Sequence, residues 1–396
     1  MKLSQIVEPG YLSHIRLKNF LSFGPDGIDL ELTPLNVFIG PNASGKSNLF
    51  EALKILKACP TDITKPFNDG GGVNNFLWKG AGDSPDHFAS IDVAMKWGDF
   101  THGYRLRFDT SSGGFFKLRS ESIYEQLENE KESQEIYLLK RGSPLYNGKI
   151  VKVESPRFDS NISVLAQLMD NDKYPEIAIL RTFFNKIAVY KGWPIGSDFA
   201  PRNPQPADLR KDYLLDDASN LASVFNYLEN QPGNIKGQML EILQKIYPFL
   251  ENITYEYFNA FAWLQFHEKY IKSPIPTIRQ SDGVLRFLCL LAILMNPTPA
   301  PVTCIEEPEI GLHPDAIRIL GELLKEASKR TQLFITTHSD LLVSSLTDMP
   351  ESVVICDRGK NGTRMKRLKS GELEKFLEDY NSLGQLWLQG ELGGVL

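Results

Sequence analysis

The sequence has little of what marks a secreted, disulfide-stabilised or membrane-bound protein. Its four cysteines are scattered and form no C-x-x-C pair, so neither a disulfide framework nor a thiolate zinc site is expected. The first residues, Met1–Pro9, lack the apolar core of a signal peptide. The longest apolar run, Phe287–Met295, is too short to span a bilayer. We therefore expect a cytoplasmic protein that makes no membrane contact.

The chain also lacks an excess of positive charge and any long heptad repeat. Its net charge is −6 over 396 residues, so no global basic field indicates a nucleic-acid binder, although a local patch would suffice. A set of arginines on predicted strands could form such a patch, but scattered solvated charges on hairpins are the favoured interpretation. They are Arg105, Arg107, Arg119, Arg141 and Arg157. No apolar heptad run lasts three or four repeats, so a long coiled coil is not expected.

A phosphate-binding loop of the form G-x-x-x-x-G-K-S is present. It reads Gly40-Pro41-Asn42-Ala43-Ser44-Gly45-Lys46-Ser47. An apolar run, Leu35–Ile39, precedes it and a helical pattern beginning at Asn48 follows, which is the strand-to-helix turn that the motif needs. There the backbone N–H groups surround a phosphate at a helix N-terminus. We predict that Gly40–Asn48 binds the nucleotide, with Lys46 on the β- and γ-phosphates and the Ser47 hydroxyl on Mg²⁺.

The order of predicted elements indicates an α/β fold divided into three parts. Residues 1–159 read as an N-terminal lobe with the phosphate loop, a polar loop over 62–86 and a run of antiparallel strands. Residues 160–272 read as a mostly helical insertion. Residues 273–396 alternate between strand and helix, which is typical of a parallel sheet, and end in a helix over Glu372–Leu388.

Two adjacent carboxylates, Glu306 and Glu307, follow the buried strand Val302–Ile305. This is a Walker B arrangement, in which a rigid strand end presents carboxylates to Mg²⁺ and to water. We predict that Glu306 binds Mg²⁺ through a water and that Glu307 is the general base. The alternative is two solvent-exposed glutamates, but adjacent carboxylates directly after a buried strand are costly without a cation.

Two further motifs are ambiguous when taken alone. Ser281-Asp282-Gly283 could be an ordinary helix N-cap, because serine and aspartate both cap helices. His338 follows the buried strand Gln332–Thr337 and could be a satisfied core histidine. Their positions before and after the Walker B unit favour functional roles for both. His313, which precedes Pro314, is predicted to be structural.

Taken in order, these motifs resemble those of the ABC-type ATPase heads of the RecF/SMC class. The set comprises Gly40–Ser47, Ser281-Asp282-Gly283, Glu306-Glu307-Pro308-Glu309 with Gly311-Leu312-His313-Pro314, and Thr336-Thr337-His338-Ser339. Within that class the chain looks like the bacterial stand-alone AAA-type predicted ATPases related to RecF and to the ATPase domain of OLD nucleases. Ile15–Phe23 and Leu386–Gly394 also look like that family. The implied fold is a P-loop head with a parallel core sheet, a flanking antiparallel sheet and a helical insertion.

The resemblance also implies roles for individual residues. Ser281 and Gly283 match the signature motif, which contacts the γ-phosphate bound to the opposite subunit. Asp282 stands where transporters usually have glycine. His338 matches the switch histidine that contacts the γ-phosphate. A Q-loop glutamine is expected after the sheet lobe, and Gln167 is our candidate.

The function implied is that of an ATPase whose two copies enclose two ATP molecules and control a separate effector protein. The effector would be a nuclease or toxin of a bacterial defence system, since relatives of this kind often belong to such modules. Two alternatives stay open. One is a nucleotide-gated scaffold that sequesters the effector with little turnover. The other is a RecF-like DNA repair ATPase, for which the net charge gives no support.

Overall fold

The computed structural model describes residues 10–80, 88–97, 100–126, 134–140, 143–146, 149–150, 159, 161–371 and 382–392. They form two compact units, each assembled from segments that are distant in sequence. The first contains the described residues up to Ile187 together with Glu351–Lys369 and Leu392, and the second those of Ala188–Pro350 and Ser370–Glu391. The boundaries predicted at 159/160 and 272/273 differ from these, because a late segment of the chain folds with the N-terminal one.

The strands carry the labels β1 to β18 in chain order. They are β1 (Tyr11–Lys18), β2 (Ile28–Glu31), β3 (Leu35–Ile39), β4 (Ala89–Trp97), β5 (Phe100–Thr110), β6 (Phe116–Gln126), β7 (Gln134–Lys140), β8 (Ser143–Tyr146), β9 (Lys149–Ile150), β10 (Ala188–Tyr190), β11 (Gln205–Pro206), β12 (Leu250–Phe258), β13 (Phe261–Glu268), β14 (Ile275–Pro276), β15 (Val302–Glu306), β16 (Gln332–Thr336), β17 (Val353–Gly359) and β18 (Gly362–Arg367).

The α-helices carry the labels α1 to α10 in the same way. They are α1 (Lys46–Ala58), α2 (Lys65–Asp69), α3 (Val164–Gln167), α4 (Pro175–Asn185), α5 (Leu221–Glu229), α6 (Ile235–Gln244), α7 (Asp282–Leu294), α8 (Pro314–Ala327), α9 (Asp340–Ser344) and α10 (Leu383–Leu388). Within the described ranges, no helix has both the length and the apolar character needed to cross a bilayer.

The first unit combines an eight-stranded antiparallel sheet with the strands that carry the phosphate loop. The antiparallel sheet has the order β2-β1-β4-β5-β6-β7-β8-β9. In β4 the buried residues Ile91, Val93 and Met95 alternate with others, which is the pattern of a sheet with one packed face. β3 is apolar and buried along its whole length and pairs in parallel with β17, which turns back into the antiparallel β18.

The second unit contains the parallel strands β10, β15 and β16. β15 and β16 are almost entirely buried, as continuous apolar strands of parallel sheets are. α8 begins with Pro314 in its first turn, where the missing N–H costs nothing, and buries one apolar face that includes Ile317, Leu320 and Leu324. The predicted alternation of strand and helix around a parallel sheet is therefore confirmed in this part of the chain.

The mostly helical insertion over 160–272 is only partly right. Helices α3 to α6 occur in it, but Leu250–Glu268 folds as the hairpin of β12 and β13. The aromatic and β-branched residues of that stretch recur with period 2, and this is the signal that was missed. α4 ends at Asn185, and the strand β10 begins three residues later, still within the stretch that was predicted to be mostly helical.

The polar stretch over 62–86 is not simply a loop, because it contains α2. Phe67 of α2 is 1% exposed, and its ring packs 4.9 Å from the rings of Phe76 and Phe108. One buried aromatic residue therefore orders a segment whose composition otherwise predicts a loop. Of the final helix predicted over Glu372–Leu388, residues 372–381 lie outside the described residues, and α10 forms its last part.

Candidate functional site: a phosphate loop and a carboxylate–histidine cluster

The phosphate loop occupies the turn between β3 and α1, as predicted. Gly40, Ala43 and Gly45 all have positive φ angles, of 144°, 63° and 102°. Alternation of such residues with ordinary ones turns successive N–H groups to one side and forms an anion-binding concavity. Lys46 is buried, and its ammonium donates to the carbonyls of Gly40 and Pro41 at 2.8 and 2.9 Å, so it spans the loop. Donors gathered around one concavity fit the phosphates of a nucleotide.

Residues from the other end of the chain hold this loop in place. The Thr363 hydroxyl lies 2.8 Å from the Ser44 carbonyl and 2.7 Å from the Ser22 hydroxyl. A Cβ atom on Gly45 would collide with Thr363, and one on Gly40 would collide with the carbonyl of Cys356. Both glycines are therefore required by close approach as well as by φ.

This bracing by β17 and β18 was not predicted, because nothing local in the sequence links Thr363 to the loop. Asn48, counted with the nucleotide-binding residues, instead donates to Ser22 at 2.7 Å. An arginine of β17, Arg358, lies 3.4 Å from the Ala43 carbonyl. Among the described residues, the buried Ser44 hydroxyl has no hydrogen-bond partner.

In the second unit, Glu306 ends β15 and Glu307 follows it in a strained conformation. Glu307 has a φ of 46°, in the left-handed region that residues other than glycine rarely adopt. Its N–H bonds the Thr336 carbonyl at 3.0 Å, which ties it to the end of β16. Strained residues of this kind cluster at functional sites, where the surrounding structure over-determines them. The turn directs the Glu307 carboxylate toward His338, with 3.6 Å between Oε1 and Nε2.

A third carboxylate, Glu309, sets the backbone that carries this histidine. Glu309 Oε1 accepts hydrogen bonds from the Thr337 hydroxyl at 2.7 Å and from the His338 N–H at 2.8 Å. Its other oxygen, Oε2, is buried and finds no hydrogen-bond partner in the part of the chain that the structure describes. The sequence motif included Glu309 but predicted no role for it. Its contacts link the loop after β15 directly to the loop after β16.

A pocket of about 210 Å³ opens beside Glu306 and Glu307. Lys191, Trp193 and Arg286 contribute to its wall. Lys191 follows β10, and its ammonium lies 3.9 Å from Glu306 Oε2. Sequence reasoning missed this lysine, because only the parallel pairing of β10 with β15 brings it next to the Walker B carboxylates.

The signature serine caps α7. The Ser281 oxygen accepts from the Val284 N–H at 3.2 Å, so the N-cap interpretation is confirmed, and the hydroxyl hydrogen still allows Ser281 to donate to a ligand. Gly283 is required locally, because a Cβ atom there would lie 2.7 Å from the Gly311 carbonyl. His313 caps α8 by accepting from the Asp315 N–H at 3.3 Å, in line with its predicted structural role.

Three exposed isoleucines lie on segments that are tied by hydrogen bonds to the signature helix or to its partners. Ile195, Ile278 and Ile310 are 67%, 55% and 41% exposed. Ile195 precedes Gly196, whose N–H donates to Asp282 of α7. The Ile310 carbonyl accepts from Arg286 of α7, and the Ile278 carbonyl accepts from Arg202, which itself bonds Asp282. Apolar residues grouped around one polar motif are more typical of an interaction surface than of a solvated one.

The Q-loop candidate Gln167 and the arginines of the possible basic patch make contacts within their own surroundings. Gln167 uses its amide within its own loop, since it accepts from the Asp159 N–H and donates to the carbonyls of Asp159 and Ile162. Its Q-loop role stays a prediction that this bonding does not favour. Among the arginines, Arg105 pairs with Asp92 and Arg119 with Asp109, and the Arg107 guanidinium lies 5.3 Å from the centre of the Phe88 ring. Arg141 and Arg157 lie outside the described residues.

Two family models match the chain. A model described as "AAA domain" matches residues 14–229, which is more than half of the chain. A model described as "AAA domain, putative AbiEii toxin, Type IV TA system" matches residues 197–344. A relative named "ATP/GTP phosphatase", from Helicobacter pylori, is 23% identical over 354 residues, which cover 85% of this chain and 87% of that protein.

Solved structures of SMC heads share the fold. An SMC head bound to the C-winged helix domain of ScpA has a TM-score of 0.58 at 15% identity, covering 93% of this chain and 99% of that one. An SMC head with an extended coiled coil, bound to the C-terminal domain of ScpA from Pyrococcus furiosus, has a TM-score of 0.58 at 14% identity, covering 94% and 100%. The predicted class, an α/β P-loop head of the SMC/RecF type, is thereby confirmed.

Proposed function

Because the chain belongs to the AAA domain family, we propose that it binds ATP with Mg²⁺ and hydrolyses the γ-phosphate. The observation that carries this proposal is the Glu307–His338 pair, held by the left-handed backbone of Glu307 and by the bonds of Glu309 to the His338 segment. A protein that only binds a nucleotide has no need of a carboxylate held in a strained turn against a histidine. The name of the Helicobacter pylori relative is in accord with phosphatase chemistry.

Each residue has a chemical task in this proposal. Gly40–Ser47 binds the phosphates, and the Lys46 ammonium offsets charge on the β- and γ-phosphates. The Ser47 hydroxyl and Glu306 offer the hard oxygen ligands that Mg²⁺ prefers. The metal supplies charge neutralisation when bound. Glu307 accepts a proton from the attacking water, and His338 donates a hydrogen bond to the γ-phosphate.

We further propose that two copies of the chain close around ATP through the signature surface. Ser281 keeps a hydroxyl hydrogen for a ligand and is exposed, as are the three isoleucines. A hydrogen-bond donor with exposed apolar side chains on neighbouring segments is the composition expected of an interface core. ATP binding would favour the closed dimer, and hydrolysis would release it.

The purpose of closure would be to control a separate protein, in a bacterial defence system. Two findings support this. The family matched over 197–344 carries a toxin–antitoxin system in its description, and the similar SMC heads are bound to domains of another protein. A nuclease or toxin is the proposed partner. The pairing of Arg105 and Arg119 with aspartates gives DNA binding no comparable support.

Two substitutions test the catalytic proposal. Lys46→Ala should abolish ATP binding, measured by isothermal titration. Glu307→Gln should keep ATP affinity within about threefold and lower kcat by on the order of 100-fold or more, because it removes only the general base. Glu322→Ala, on the exposed face of α8, is the control and should leave both values unchanged.

The same variants separate the alternatives. If Glu307→Gln hydrolyses ATP at the wild-type rate, the base assignment is wrong. If Glu307→Gln restrains the effector as well as the wild type while Lys46→Ala does not, the protein is a nucleotide-gated scaffold. A strong, salt-sensitive stimulation of hydrolysis by duplex DNA would instead support a repair ATPase.

A further inference from the structure

The aspartate within the signature is held by an arginine from another part of the second unit. Arg202 Nη2 and Nε lie 2.7 and 3.2 Å from Asp282 Oδ1. The other oxygen, Oδ2, accepts from the Gly196 N–H at 3.1 Å. Both side chains are largely shielded, with 13% of Arg202 and 24% of Asp282 exposed. The contact is thus a structured ion pair and not a transient surface one.

The charge of Asp282 is a problem for the proposed role of its neighbour. Ser281 is proposed to meet a triphosphate, and the adjacent residue is an anion. The N-terminus of α7 attracts negative charge, but Asp282 and any incoming phosphate would compete for that attraction. Burial raises the pKa of Asp282, but the bonds from Arg202 and Gly196 outweigh that effect and lower it, so the carboxylate is ionised at neutral pH.

We propose that Arg202 is a positioning residue that neutralises Asp282 and thereby allows the signature of one copy to approach the ATP held by another. The inference rests on the proposed ATP-dependent dimer. Without Arg202, the carboxylate would repel the γ-phosphate across a largely desolvated interface, where charges act strongly. We expect the loss of Arg202 to weaken the dimer by on the order of 10- to 100-fold.

Besides Asp282, the Arg202 guanidinium donates to the Ile278 carbonyl at 3.1 Å, and the double variant described below separates this bond from the effect on Asp282. The segment around it keeps several anchors of its own. Arg286 donates to the carbonyls of Trp193 and Pro194, and the Thr277 hydroxyl donates to the Arg202 backbone carbonyl at 3.2 Å. Removal of the Arg202 side chain should therefore leave the backbone attached and the unit folded.

The experiment uses the Glu307→Gln chain, whose dimer is not lost to hydrolysis, and measures its dimer dissociation constant with ATP and Mg²⁺ by analytical ultracentrifugation. Arg202→Ala should raise that constant at least tenfold, because the carboxylate of Asp282 is then left without its cation beside the γ-phosphate. Adding Asp282→Gly to Arg202→Ala should restore dimerisation to within about threefold. Arg210→Ala, which breaks the exposed Arg210–Asp212 pair in the same unit, is the control and should have no effect.

Each outcome decides a different claim. If Arg202→Ala dimerises normally, or if the double variant is as weak as Arg202→Ala alone, the positioning role is wrong while the dimer stands. If the Glu307→Gln chain itself stays monomeric with ATP, the proposed dimer and the role of Arg202 both fail. ATP affinity of the monomer, measured in parallel at the phosphate loop, should be the same in all of these variants.

Discussion

The phosphate loop and the carboxylate–histidine cluster reach fixed geometries by opposite means. The loop is shaped by backbone packing, with Gly40 and Gly45 pressed against Cys356 and Thr363. The cluster is shaped by side-chain hydrogen bonds, chiefly those of Glu309 to Thr337 and His338. A site fixed by close packing tolerates no added atom, whereas a site fixed by hydrogen bonds tolerates any residue that supplies the same acceptor.

This difference also explains why the phosphate loop is recognised in the sequence more readily than the carboxylate–histidine cluster. Close backbone packing demands glycine at fixed positions, so the loop has a recognisable pattern. A hydrogen-bonded cluster can be built from several residue types at variable separations in the sequence. Its residues were therefore identified from their positions relative to strands and to other motifs.

The largest effect should come from adding one methyl group to the loop. Gly45→Ala places a Cβ against Thr363 and Ser22 at a φ of 102°, so we expect ATP affinity to fall by about 100-fold or more. Gly359→Ala, in β17, meets open space and is the matched control. Equal ATP affinities of the two variants, measured by titration calorimetry, would show that the loop is not held by packing.

A smaller effect should follow from breaking the cluster. Glu309→Ala removes the acceptor for Thr337 and for the His338 N–H, so we expect kcat to fall about tenfold with little change in ATP affinity, since a hydrogen bond to a charged group contributes about 1.5–3 kcal/mol. Glu309→Gln keeps the oxygen that accepts these bonds and should retain most of the activity. Steady-state kinetics on both variants measures this, and identical losses would contradict the hydrogen-bond account.

A single hydrogen bond to the loop should matter less still. Thr363→Val keeps the shape of the side chain but leaves the Ser44 carbonyl and the Ser22 hydroxyl without this partner. A loss of about 1 kcal/mol corresponds to roughly a fivefold higher Kd for ATP. Thr61→Val changes an exposed hydroxyl instead and should have no effect on binding. A loss above 50-fold would mean that Thr363 acts on the nucleotide directly.

The smallest effect concerns stability. Glu307 adopts a left-handed backbone conformation, which costs residues that carry a Cβ about 1–2 kcal/mol. Both Glu307→Gly and Glu307→Ala should lose hydrolysis. The free energy of unfolding of the glycine variant should be about 1 kcal/mol higher than that of the alanine variant. Chemical denaturation compares the two. Equal stabilities would show that the turn is not strained.

The sequence was sufficient for the elements that have strong local patterns. The strand and helix around Gly40–Ser47 and the strands before Glu306 and His338 lie where they were predicted, to within a residue or two. The features that were not predicted have a common cause, because each depends on contacts between residues far apart in the sequence. The burial of Phe67 orders α2, and the brace of Thr363 and the pairing of Arg202 with Asp282 each join segments far apart in the chain. No periodicity or motif encodes such contacts.

The brace on the phosphate loop has a consequence for how the protein is made. β17 and β18 are translated long after the phosphate loop, so a nascent chain that has emerged only as far as α9 contains the whole loop sequence but neither Cys356 nor Thr363. The packing that holds Gly40 and Gly45 at positive φ is then incomplete. The proposed affinity for ATP would therefore be gained only once β17 and β18 have been made, and cellular ATP, by binding the folded state alone, would stabilise chains that contain both strands and not shorter ones.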